Sequence, residues 1–202
     1  MTTAPPIRYD LMARTVPEGN VDLGSLVPGT GPIEIEIGFG RGRFLLERAR
    51  SAPESRLIGL EIKAKWAHLV ELRRVREGLV NAVALRADAR AVLPRCGPDE
   101  SVARVFIHFP DPWWKKRHAK RRVLDEDVLH HVARLLVQGG ELFVQTDVED
   151  RAASMRAQIE AHGGFEWADN AQNTYGARSN REVRADEDGL PVYRVLALRS
   201  RK

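Results

Sequence analysis

The chain has 202 residues, of which 43% are hydrophobic and 30% charged, and a net charge of +4. That length suits one medium domain, and that balance excludes an intrinsically disordered or fibrous chain. Cys96 is the only cysteine, which excludes an intramolecular disulfide and a cysteine-built zinc or iron–sulfur cage, and no apolar run reaches the roughly 20 residues of a membrane-spanning helix.

Residues 1–31 carry Pro5, Pro6, Pro17 and Pro28 without hydrophobic periodicity and read as a loose N-terminal arm ahead of one domain spanning 32–202. The opening MTTAPPIRYD lacks the basic and then apolar stretch of a secretory leader, so a cytoplasmic location is expected. Apolar, β-branched runs predict strands at 33–37, 56–62, 81–86, 102–109 and 141–146. Helices are expected at 43–50, 64–77, 89–93, 125–137 and 148–162. A strand near 165–168, a polar loop through Arg184 and a last strand at 192–198 complete the chain. Strands alternating with helices predict an α/β fold, a doubly wound Rossmann-like sheet of about seven strands with helices on both faces.

The first strand ends in Glu36-Ile37-Gly38-Phe39-Gly40-Arg41-Gly42, a glycine-rich turn entering a helix, where open α/β sheets bind nucleotide-like ligands. A dinucleotide site wants one more glycine, and that position is Arg43. Glu36 would repel a pyrophosphate but can hold the amino group of a methionine moiety. Glu61 ends the second strand, where a carboxylate accepts hydrogen bonds from ribose hydroxyls, and Asp88 follows the third, placed to meet an adenine amino group. Each acid alone could be a helix cap or a solvated charge. Together with Gly38, Gly40 and Gly42 they resemble the class I S-adenosylmethionine-dependent methyltransferases, whose last strand is antiparallel, over residues 33–198.

Strand four runs into FPDPWWKKRHAKRR, residues 109–122. Prolines flank Asp111 and stiffen its backbone. The methyltransferases that the chain resembles present the target atom at this strand end, which implies Asp111 as the candidate catalytic residue, the alternative being a turn aspartate. Guanine N7 suits such a site, because its in-plane lone pair carries no hydrogen and needs no general base; Asp111 either grips the donor edge of guanine or offsets the cation that forms. Trp113 and Trp114 suit base stacking or core packing. Residues 115–122 hold six of the 32 Lys and Arg residues; elsewhere 26 cations face 28 acids, so the patch on a nearly neutral body reads as a local polyanion site or, alternatively, as a solvated charge run. Cys96 lies away from strand four and reads as structural, and His130 and His131 are too far apart around a helix to share a metal.

FPDPWWKKRHAKRR closely resembles the tRNA (guanine-N7-)-methyltransferase pattern, a [FS]-D-P-W-x-K element followed by K-x-R-H-x-K-R-R; EIGFGRG, GLEIK and Gln145-Thr146-Asp147 match further elements of that family. The resemblance implies S-adenosylmethionine as methyl donor and tRNA as partner, the product being 7-methylguanosine at variable-loop position 46. It implies no metal and no membrane, and a monomer or homodimer. Glu36, Glu61, Asp88 and Asp111 take the cofactor positions. Lys115 and Asp147 take substrate positions, as do Ser179 and Glu182 of Ser179-Asn180-Arg181-Glu182, where the family pattern is T-x-[FY]-E. Serine thus stands for threonine and arginine for the aromatic. Lys116, Arg117, Lys120, Arg121 and Arg122 would meet tRNA phosphates. The rival readings are a methyltransferase acting on another RNA or on protein, a silent RNA-binding module and an NAD-dependent oxidoreductase.

Overall fold

The structure, a computed structural model, describes residues 7–110 and 124–201. The short N-terminal elements are α1 (Tyr9–Met12), β1 (Val21–Asp22) and α2 (Leu23–Leu26). The alternating part follows as β2 (Ile33–Ile37), α3 (Arg43–Ser51), β3 (Arg56–Glu61), α4 (Ala64–Arg76), β4 (Ala82–Arg86), α5 (Ala89–Val92), β5 (Cys96–Gly97) and β6 (Val102–His108). After the undescribed stretch come α6 (Glu126–Leu135), β7 (Leu136–Thr146), α7 (Glu149–His162), β8 (Phe165–Trp167), α8 (Asn180–Glu187) and β9 (Tyr193–Arg199).

Seven strands form one sheet in the order β4-β3-β2-β6-β7-β9-β8. The pairs among β4, β3, β2, β6 and β7 are parallel, and β9 runs antiparallel to both β7 and β8. The chain leaves β2 toward β3 on one side and returns to β6 on the other, so the order reverses beside β2. A crevice opens at the carboxyl ends of the strands at such a point.

β2 reads IEIEI, yet every residue of it is buried, because it is central and covered on both faces. Its isoleucines join the main apolar core, while Glu34, with 0% exposure, accepts from Arg48 Nη2 at 2.7 Å and Arg104 Nη1 at 2.9 Å. Such a buried carboxylate persists only because it is paired. On the same side Phe44, Phe106, Phe143 and Tyr175 form an aromatic cluster, and Tyr175 Oη donates to Glu141 at 2.7 Å. Burial, with this hydrogen bond, holds the Tyr175 pKa far above the usual phenolic range.

Three differences from the sequence-based expectations stand out. Residues 9–31 are docked rather than loose: Tyr9 lies 5.9 Å from the His68 ring, β1 pairs with β5, and Val16, Val21, Leu23 and Val27 enter the core. Their anchors are short and irregularly spaced, so no periodicity marks them. The polar loop expected through Arg184 contains α8 instead, capped by Ser179. The strand expected at 141–146 begins at Leu136, with a register irregularity against β6 and Gly139 at φ 74°. Cys96 is buried in β5, and burial raises its thiol pKa, as suits a structural cysteine.

Candidate active site

The carboxyl ends of β2, β3, β4 and β6 surround a cavity of about 490 Å³, with the first turn of α8 as its far wall. Glu36, Gly38, Gly40, Glu61 and Asp88 all line it, together with His108, Phe109, Pro110, Ser179 and Arg181. The fold therefore brings together residues that the sequence scatters over 145 positions, from Glu36 to Arg181.

The glycine turn is built for close approach. Gly38 and Gly40 have φ of 76° and 54°, and a Cβ on either would meet nothing within 4 Å, so their backbone faces open space. Gly42 differs. It does not line the cavity, and a Cβ there would lie 2.4 Å from Val70 of α4; its smallness serves helix packing rather than a ligand.

Glu36, 2% exposed, accepts a hydrogen bond from His108 Nδ1 at 3.0 Å through Oε1, while its Oε2 is buried without a protein partner among the described residues. The His108 ring is wedged against Phe44, with centroids 4.2 Å apart, which locks the donor in place. A buried acceptor without a donor is costly in a folded protein and calls for a ligand. The ammonium group of a methionine moiety is such a donor.

Glu61 accepts from the backbone N–H of Gly40 at 2.9 Å and of Lys63 at 2.8 Å, tying the second strand end to the glycine turn. Each carboxylate oxygen keeps a further lone pair for a hydroxyl. Asp88 caps α5 by accepting from Arg90 N–H at 3.0 Å through Oδ1. Capping and ligand binding are compatible there, since Asp88 also lines the cavity. Trp66 is a further lining residue, with Arg41 at 5.3 Å and Lys65 at 5.4 Å from its ring centre.

Just past the end of β6, Phe109 adopts φ 47°, a left-handed conformation that is strained for a bulky residue, and its N–H donates to the Gln145 carbonyl at 2.7 Å. Strain of this kind gathers where the backbone must aim a particular group. Asp111, Lys115, Lys116, Arg117, Lys120, Arg121 and Arg122 lie outside the described residues.

Ser179 and Glu182 form a reciprocal capping box at the start of α8. Glu182, 2% exposed, also accepts from Gln145 at 3.0 Å, Asn173 at 3.0 Å and Arg194 at 2.9 Å. Burial opposes its ionisation, but these donors outweigh that and hold its pKa below the ordinary 4.5. Glu182 does not line the cavity; it fixes the wall from behind, while Ser179, Asn180 and Arg181 present the surface. Arg181 Nε donates to Asp147 Oδ2 at 2.7 Å, and its Nη2 donates to the same oxygen. Among the described residues no cluster of His, Cys, Asp and Glu can hold a metal ion, and no helix is long and apolar enough to cross a membrane.

Residues 30–195 match the family model Methyltransf_4, whose description is "Putative methyltransferase". The tRNA (guanine-N(7)-)-methyltransferase of Nitrosococcus oceani is 36% identical over 96% of this chain and 86% of its own length. That of Myxococcus xanthus is 35% identical over 92% of this chain and 90% of its own. The chain belongs to the tRNA (guanine-N7-)-methyltransferase family. It is a methyltransferase. The crystal structure of the 16S rRNA methyltransferase KamB is 17% identical, covers 94% of this chain and 100% of that one with a TM-score of 0.66, and shares the fold.

For a member of the tRNA (guanine-N7-)-methyltransferase family, three residues of this site escape a reading of the sequence. His108 stands immediately before the FPDPWW run and two positions after Phe106, so a strand's alternation puts both rings on one face, but its partner is 72 residues away. Trp66 sits inside a helix with nothing in its spacing to point it at a cavity. Arg181 registers only as a departure from the family's aromatic residue.

Proposed function

We propose that this chain transfers a methyl group from S-adenosylmethionine to N7 of a guanine in tRNA, at variable-loop position 46. The observation that carries the reading is the ring of three carboxylates, Glu36, Glu61 and Asp88, at successive strand ends around one cavity beside an open glycine turn. The names of the curated relatives support the choice of tRNA and of guanine N7.

When bound, S-adenosylmethionine supplies an electrophilic methyl group on a sulfonium. Glu36 Oε2 would accept from its ammonium group while His108 holds Oε1, and the open backbone of Gly38 and Gly40 would admit the methionine moiety. Glu61 would accept from its ribose hydroxyls, and Asp88 from its adenine amino group. Methyl transfer to N7 is an in-line displacement that depends on alignment and on charge matched to the transition state, so the residues around the target position the base instead of deprotonating it. Asp111, next to the cavity-lining Pro110 in the chain, is assigned to that task, with Lys115 and Asp147 as substrate contacts. Lys116, Arg117, Lys120, Arg121 and Arg122 are assigned to tRNA phosphates. A tRNA substrate supports a cytoplasmic setting for the reaction.

Incubation with methyl-labelled S-adenosylmethionine and a mixture of total RNA and protein tests the substrate class. Label is expected in tRNA. Label confined to ribosomal RNA or to protein would replace this reading with a methyltransferase of another specificity.

A further inference from the structure

Asp147 directly follows β7, two residues after the Gln145 whose carbonyl holds the strained Phe109, and Arg181 stands in the first turn of α8 on the cavity wall. Two donors of one guanidinium, Nε and Nη2, converge on a single carboxylate oxygen, Oδ2. Among the described residues Asp147 Oδ1 takes no hydrogen bond. The side chain of Asp147 is 16% exposed and that of Arg181 is 45% exposed, so the acid is seated while its partner closes it from the solvent side. An exposed ion pair adds little stability. This one instead restrains an orientation, because two donors hold one oxygen in place and, among the described residues, leave the other to a further donor.

We infer that Arg181 is a positioning and specificity-determining residue: it holds Asp147 so that Oδ1 faces the donor edge of guanine, the N1–H and the N2 amino group. The inference rests on the guanine-N7 reading above and concerns the same site. Guanine presents two donors on that edge where adenine presents an acceptor at N1, so a fixed, unengaged carboxylate oxygen selects guanine. The pairing also answers an electrostatic problem. Methylation leaves positive charge on the base, which a free guanidinium would oppose, whereas one neutralised by Asp147 does not. Lysine replaces the two converging donors with one mobile point charge and holds that oxygen less firmly.

The test uses tRNA transcripts carrying guanosine or inosine at the methylated position, inosine lacking only the N2 amino group, with wild-type protein, Arg181→Ala, Arg181→Lys, Asp147→Asn and the double variant Asp147→Asn/Arg181→Ala. Wild type is expected to prefer guanosine by about tenfold in kcat/KM, as when one hydrogen bond is removed at a formed site. Arg181→Ala and Arg181→Lys should each narrow that preference to less than about threefold, a change in ratio that a general loss of folding or of cofactor binding would not produce. The double variant should fall by less than the product of the single effects, because the two side chains act as one unit. Equal guanosine preference in wild type and Arg181→Ala, or independent effects in the cycle, would overturn the inference. Wild-type protein that modifies neither transcript, or modifies another atom, would instead overturn the guanine-N7 reading itself.

Discussion

Gly40 and Gly42 belong to one turn yet serve opposite ends, and substitution separates them. Alanine at Gly42 would place a Cβ 2.4 Å from Val70 at φ 72°, adding overpacking to left-handed strain. A destabilisation of about 2–4 kcal/mol follows, seen as a melting temperature lower by roughly 5–15 °C. Alanine at Gly40 meets nothing in the protein, so only the strain of about 1–2 kcal/mol remains, and the larger effect should appear in S-adenosylhomocysteine binding by calorimetry. A Gly42→Ala protein as stable as wild type would remove the packing account. His108 gives a second residue-scale prediction. His108→Phe keeps an aromatic ring against Phe44 but leaves both oxygens of Glu36 without a donor, and should weaken S-adenosylhomocysteine binding about tenfold. His108→Asn, which retains a donor, should weaken it less; equal effects in both would assign the change to packing.

At the scale of elements, α8 is held by its buried acid more than by apolar packing. Only Glu182 and Ala185 of the helix are buried, and Glu182 joins α8 to β7 through Gln145, to β9 through Arg194 and to the preceding loop through Asn173. Its folded pKa lies below the unfolded value of 4.5, so its stabilising contribution is present above that value and is lost as pH falls through the folded pKa. Glu182→Gln should therefore be less stable than wild type at pH 7, with the difference closing as the pH drops below about 4.5. Urea unfolding at several pH values measures it, and a pH-independent difference would contradict the assignment. This helix also shows what a sequence conceals. Its apolar stripe is too thin to reveal a helical period, although Ser179-Asn180-Arg181-Glu182 carries the S-x-x-E spacing of a capping box that marks a helix start. The strands at 33–37 and 102–109 are legible because long β-branched runs end in glycine or proline. Burial of Glu34 is not, since its cations Arg48 and Arg104 lie 14 and 70 positions away.

Across the whole molecule, the parallel sheet sets three carboxylates and a glycine turn around one cavity, and the order reversal beside β2 explains why the cavity forms there. This frame is readable from alternation and from strand-end residues, because strand ends in such a sheet converge whatever lies between them. Single long-range pairs, Glu36 with His108 and Asp147 with Arg181, are not readable, because nothing in local spacing encodes them. The basic stretch at 115–122 gives the molecule its one dense patch of charge in sequence. Replacing Lys116, Arg117, Lys120 and Arg121 together by alanine should weaken tRNA binding and flatten its log–log salt dependence by about one unit for each phosphate no longer neutralised. An unchanged slope would make the stretch a solvated charge run. The most direct measurement is the identity of the modified nucleoside: tRNA methylated by the purified protein, digested to nucleosides and separated, should yield 7-methylguanosine from variable-loop position 46. Any other methylated nucleoside, or 7-methylguanosine from another position alone, would contradict the account.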